Sequence, residues 1–99
     1  MKRRTEHMII LEILDVCVKG SSKTRIVYRA NLNFRTITPY LDLLITNGFL
    51  NVRKERLLIY ETTPKGLTLL DYLKQLQTML TPTSAQEALM YSNYVPEEI

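Results

Sequence analysis

Apolar residues recur at spacings of three and four through most of the chain, the period of one helix face. Ile9, Ile10, Ile13, Leu14, Val16, Cys17 and Val18 leave only a narrow polar stripe of Glu12, Asp15 and Lys19. This predicts a first helix from Arg4 or Thr5 to Lys19, apolar enough to sit at the centre of a core. Asp15 and Lys19, four apart, can pair on it, and Gly20 is a natural stop. Ser21 or Ser22 caps a second helix, Lys23 to Ala30, with Ile26, Val27 and Ala30 inside and Arg25 and Arg29 outside. Asn31 tolerates a left-handed turn and Leu32 plugs the corner. A third helix has Asn33 as cap and ends at Asn47-Gly48, with Phe34, Ile37, Leu41, Leu44 and Ile45 on one stripe. Pro39 fits either a bend in one helix or a later start with Thr38 as cap. The stripe runs unbroken across the proline, which favours one helix.

Residues Phe49–Arg53 and Leu57–Thr62 are rich in strand-forming types and flank Lys54-Glu55-Arg56, which predicts a hairpin with a charged tip. A fourth helix starts at Pro64 or Leu67 and reaches Leu80. Leu67 and Leu70 can pack back on the domain. Leu69, Leu73, Leu76 and Leu80 follow a 4, 3, 4 spacing with Tyr72 and Met79 alongside, a short heptad seam. That seam suits pairing with a second copy, or folding back on the first helix. Thr81-Pro82 ends the helix, Ser84 to Glu87 matches a capping box opening a short helix to about Tyr91, and a loose tail follows.

Ile26, Ala30, Leu32, Ile37 and Tyr40 or Leu41 meet if the second and third helices cross steeply. That is the packing of a helix-turn-helix, whose second helix is free to enter a DNA groove. Three helices followed by a hairpin make the predicted fold a winged helix-turn-helix, mostly α within the α+β class. We divide the chain into a winged helix DNA-binding domain (1–66), a dimerisation helix (67–80) and a short helix with its tail (81–99).

Charge sharpens this picture. The formal net charge is only +3. Yet nine basic residues between Lys19 and Lys65 face only Asp42, Glu55 and Glu61, while the end of the chain carries Glu87, Glu97 and Glu98. A basic middle fits a polyanion. The single cysteine, Cys17, cannot close an internal disulfide, and no apolar run approaches the ~20 residues of a membrane span. A cytoplasmic, nucleoid-associated location is expected. His7 is the lone histidine and has no cysteine cluster near it. No nucleophile–base set and no glycine-rich phosphate loop is present, so neither an enzyme, a metal, a cofactor nor a small-molecule ligand is expected.

Several blocks stand in a telling order: Arg3-Arg4, Ile9-Ile10, Ile13-Leu14; Gly20-Ser-Ser-Lys-Thr-Arg-Ile; Ala30-Asn-Leu-Asn; Tyr40-Leu-Asp-Leu-Leu; Asn47-Gly-Phe-Leu; and Tyr60 with Thr63-Pro-Lys-Gly. Over residues 3–80 the chain resembles the small archaeal winged-helix DNA-binding proteins, which include chromatin-associated proteins, transcription regulators and viral gene products. Pro39 departs from the charged or polar residue expected there. The resemblance implies that the third helix enters the major groove with Arg35 on a base and Thr36 and Thr38 on base or phosphate. The wing residues Arg53, Lys54 and Arg56 would follow the backbone or minor groove, and Lys2, Arg3, Arg4, Lys23 and Arg25 would hold phosphates. In some members the last helix pairs two subunits, which here implicates Leu69, Tyr72, Leu73, Leu76, Met79 and Leu80 in a homodimer. The implied function is transcription regulation or DNA architecture. The alternative is a protein-interaction module whose basic face binds an acidic partner.

Overall fold

The computed structural model describes residues 5–80. Lys2, Arg3 and Arg4, the capping box at Ser84–Glu87 and the tail lie outside the described residues. Helix α1 (Glu6–Val16) is capped by Thr5, whose hydroxyl accepts the Met8 N–H at 3.2 Å. It stops three residues short of Lys19. The reason is in its last carbonyls, which find partners outside the helix. Thr62 Oγ1 donates to Leu14 O at 2.7 Å and Ser21 Oγ donates to Val16 O at 2.8 Å. The N–H groups of Gly20 and Thr62 both reach Cys17 O at 3.0 Å. The expected Asp15–Lys19 pair is therefore replaced: Asp15 faces Lys74 of the last helix at 3.4 Å.

Gly20, at φ +91°, turns the chain into strand β1 (Ser21–Ser22). Nothing in a pair of serines announced this strand. Its position comes from its partner, with Ser21 opposite Tyr60 and Ser22 opposite Ile59. Ser22, not Ser21, caps α2 (Lys23–Ala30), its Oγ accepting the Arg25 N–H at 3.2 Å. Asn31 takes the left-handed conformation at φ 57°. In α3 (Phe34–Thr46) the Asn33 Oδ1 accepts the Thr36 N–H at 2.7 Å. Pro39 lies within this helix, so the later start at Thr38 does not occur. Thr38 instead donates its hydroxyl to Phe34 O at 2.7 Å. The helix closes through Gly48 (φ +80°): Gly48 N–H meets Ile45 O at 3.0 Å and Phe49 N–H meets Leu44 O at 2.8 Å.

Strands β2 (Leu50–Lys54) and β3 (Leu58–Thr62) pair antiparallel from Leu50 opposite Thr62 to Lys54 opposite Leu58. The tip is thus residues 55–57, one residue later than the charge pattern indicated. The sheet order is β1-β3-β2. Thr63 then caps α4 (Pro64–Leu80), accepting the Gly66 N–H at 2.9 Å and donating to Gly48 O at 2.6 Å.

One core joins these elements: Ile9, Ile13 and Leu14 of α1, Ile26 and Ala30 of α2, Ile37, Leu41 and Leu44 of α3, Leu50 and Tyr60 of the sheet, Leu70 and Leu73 of α4, with Cys17. Two placements are corrected. Phe34 leaves the inner stripe and is 50% exposed, because it opens α3 before that helix reaches the core. Leu67 faces outward while Leu70, three residues on, is buried. The result is the winged helix-turn-helix arrangement, mostly helical, with a three-stranded sheet. No described helix is long and apolar enough to cross a membrane.

Candidate nucleic-acid interface

Helix α3 buries Ile37, Leu41 and Leu44, so geometry alone turns Arg35, Pro39 and Asp42 outward. Arg35 is exposed, and no described ion pair holds it. Thr36 and Thr38 are half-buried beside it. The Thr38 proton is committed to the Phe34 carbonyl, which leaves only its lone pairs for a partner. Phe34 lies between this face and α2, with Lys23 Nζ 6.0 Å from its ring centroid. That distance is at the limit of a cation–π contact. An exposed ring and two cations thus surround the α2–α3 corner.

The wing separates its three basic residues. Arg53 donates from Nε to Glu55 at 2.6 Å and from Nη1 to Glu61 across the hairpin. These hydrogen bonds, that to Glu55 foremost, push the already high guanidinium pKa further up. Arg53 also lies against the chain turn, since a Cβ on Gly20 would stand 3.3 Å from its Nη2. Lys54 and Arg56 are exposed, with no ion pair among the described residues. Lys65 is engaged internally, with Nζ 2.9 Å from Asn47 O and 4.8 Å over the Phe49 ring.

Arg25 stands apart from Lys23, although the two are near in sequence. Residues two apart on a helix point to different sides. Arg25 joins Lys19, Arg29 and Asp15 around a cleft of about 220 Å³ between α2 and the end of α1. Lys19 and Arg29 did not figure among the expected contacts. The i,i+4 spacing of Arg25 and Arg29 was visible, but the approach of Lys19 depends on the turn at residues 17–20.

The expected seam on α4 divides. Leu73 is buried and Leu69 packs against the core. Tyr72, Met79 and Leu80 are 65%, 71% and 72% exposed, and Leu76 lies at the margin. Leu76 and Leu80 also edge a groove of about 240 Å³ shared with Met8 and Leu11 of α1. Among the described residues no group of three His, Cys, Asp or Glu side chains converges for a metal. Cys17 is fully buried, and burial pushes its thiol up to about 12, so it is no nucleophile at neutral pH.

The winged helix-turn-helix family pattern matches residues 3–81. The uncharacterized protein MJ0287 of Methanocaldococcus jannaschii is 40% identical over 75 residues, covering 75% of this chain and 74% of its own length. Sso10a-2, a DNA-binding protein from Sulfolobus solfataricus, superposes with a TM-score of 0.75 at 29% identity, covering 92% of this chain and 90% of that one. The transcriptional regulator BldR, also from Sulfolobus solfataricus, gives a TM-score of 0.66 at 22% identity over 93% of this chain and 74% of its own, a likeness of fold.

Proposed function

The chain belongs to the winged helix-turn-helix family, and from that premise we propose that it binds double-stranded DNA as a transcription regulator or an architectural nucleoid protein. One observation carries the reading: the outer face of α3 presents Arg35 exposed and without an ion-pair partner among the described residues. A guanidinium so placed can bind guanine bidentately in the major groove. The likeness to Sso10a-2, which is described as DNA-binding, supports it.

In this reading α3 lies in the groove, with Arg35 on a base edge and Thr36 on a base or phosphate. Thr38 accepts rather than donates. Phe34 supplies an apolar contact of the kind that suits a thymine methyl. Lys23 holds a phosphate at the α2–α3 corner, and Lys54 and Arg56 hold the backbone beside the wing. Lys2, Arg3 and Arg4 extend the grip as a basic arm. A protein of this kind acts in the cytoplasm at the nucleoid. The exposed side of α4 (Tyr72, Leu76, Met79 and Leu80) is where two copies would join as a homodimer. Tyr72→Glu/Met79→Glu leaves the buried Leu70 and Leu73 untouched, so a fall in solution mass from two chains to one is expected. A wild-type mass of one chain would overturn the dimer.

A duplex titration against salt tests the binding itself. A linear fall of log K with log salt is expected, and Arg35→Ala should cost about 1–3 kcal/mol while relaxing base preference at one position. Absence of duplex binding at low salt would sink the reading and leave the basic face to an acidic protein partner. Site selection from a random pool then separates a regulator, with a sharp motif, from an architectural binder.

A further inference from the structure

We infer that Lys19, Arg25 and Arg29 form a second phosphodiester-binding cleft, which takes the backbone of the duplex where it runs on past the wing. The inference rests on the duplex-binding reading above and adds a contact beyond α3 and the hairpin.

Three cations share the cleft of about 220 Å³ between the end of α1 and the outer side of α2. Its single acidic lining residue is Asp15, and that carboxylate is already faced by Lys74 of α4 at 3.4 Å. No described ion pair involves Lys19, Arg25 or Arg29. Three cations against one carboxylate, itself shared with Lys74, leave the cleft net positive, and an arriving polyanion lowers the repulsion among them. The wing shows the contrasting case, where Arg53 is neutralised by Glu55 and Glu61 of its own hairpin.

Position identifies the occupant. The cleft begins at Gly20, and a Cβ there would stand 3.3 Å from Arg53 Nη2 and 3.1 Å from Ile59 Cγ2. The cleft therefore abuts the hairpin at the Arg53–Ile59 pair, one step from the end of the ladder nearest the tip. Lys23, beside Phe34, lies on the other flank of α2. On this proposal a duplex confined to α3 and the wing meets Lys23, on one flank of α2, but not Lys19 or Arg29 around the cleft on the other. A duplex that continues past the wing reaches them. A phosphodiester chain, with one anion per nucleotide and no fixed sequence, matches flexible cations in an open cleft better than a single small anion.

The test compares the full-length wild type with Lys19→Ala/Arg29→Ala on duplexes of about 12 and about 30 base pairs, roughly one and three helical turns. On the long duplex the slope of log K against log salt should become shallower by about two, near 0.9 for each phosphate released. On the short duplex it should not change. Lys19→Arg/Arg29→Lys should restore the long-duplex slope, because charge rather than shape makes the contact. Arg29 also lies in the last turn of α2, so melting temperature is followed separately; a purely structural role moves that temperature and not the slope. An unchanged slope on the long duplex, or an equal loss on both, would overturn the inference. So would a loss confined to the capture of a second, separate duplex in a two-colour energy-transfer assay. Failure of the wild type to bind either duplex would instead overturn the duplex-binding function itself.

Discussion

Thr62 Oγ1 donates a 2.7 Å hydrogen bond to the carbonyl of Leu14, 48 residues earlier in the chain. The same residue sends its N–H to Cys17 O. One threonine at the foot of the wing therefore closes the end of the central helix. Thr62 is buried, so loss of its hydroxyl leaves a carbonyl that water reaches poorly. Thr62→Val should lower stability by about 1–3 kcal/mol, and each kcal/mol corresponds to roughly 4–8 °C for a domain of this size. Thermal unfolding by circular dichroism reads this directly. Thr62→Ser should recover most of the loss, whereas an unchanged melting temperature in Thr62→Val would mean the bond contributes nothing net.

That bond also marks where the sequence stops being legible. Local chemistry was readable. Asn33 at a cap, Asn31 in a left-handed turn and Gly48 after α3 each act on neighbours within a few residues. Apolar periodicity located the core positions Ile26, Ile37, Leu41 and Leu44 for the same reason. The end of α1 and the strand Ser21–Ser22 were not readable, because their partners come from β3, about 40 residues away. Arg53 resembled Lys54 and Arg56 in the sequence, and only the hairpin register brought Glu61 to it. The α4 seam reads both ways, because a 4, 3, 4 pattern looks the same whether its partner is α1 or a second chain; only the fold shows that Leu69 and Leu73 pack against the core.

Gly66 gives a prediction that runs against helix propensity. Alanine is ordinarily favoured over glycine inside a helix by about 1 kcal/mol. Here a Cβ would stand 2.2 Å from Phe49 O and 2.7 Å from Thr62 Cγ2. The first is backbone at the start of the hairpin and cannot swing aside. Gly66→Ala should therefore destabilise by about 1–3 kcal/mol, the usual range for overpacking. A rise in the urea midpoint would show that α4 can slide outward at no cost.

Cys17 makes stability sensitive to alkali. Burial pushes its thiol from 9.0 up to about 12. Between those values the unfolded chain releases a proton that the folded chain retains, so the unfolded state gains as pH rises. This contribution is complete below about pH 9 and is lost on the way to about 12. The Tyr60 phenol is also raised, by burial first and by Asp42 and Cys17 after it, and works in the same direction. Cys17→Ala should flatten part of the alkaline loss in urea midpoints measured between about pH 8 and 11. At pH 8 the native wild-type thiol should resist alkylation until the chain is unfolded. Rapid labelling of the native protein would show that the site opens locally.

Arg53 and Arg56 carry the same charge on one hairpin, yet the wing uses them differently. Arg53 bonds Glu55 and Glu61, while Arg56 has no ion pair among the described residues. Exposed pairs are weak individually, but one guanidinium bridging two carboxylates fixes the tip relative to both strands. Arg56→Ala removes a cation able to displace counterions from DNA, so the salt slope should fall by about one. Arg53→Ala should leave the slope near the wild-type value. It should weaken binding by a similar factor at every salt concentration, because the tip that presents Lys54 and Arg56 is less well fixed, and it should speed hydrogen exchange in the strands near the tip. A slope change of one for Arg53→Ala would mean that the guanidinium leaves its carboxylates for a phosphate on binding. In that case the bridge holds the free wing, and duplex binding breaks it.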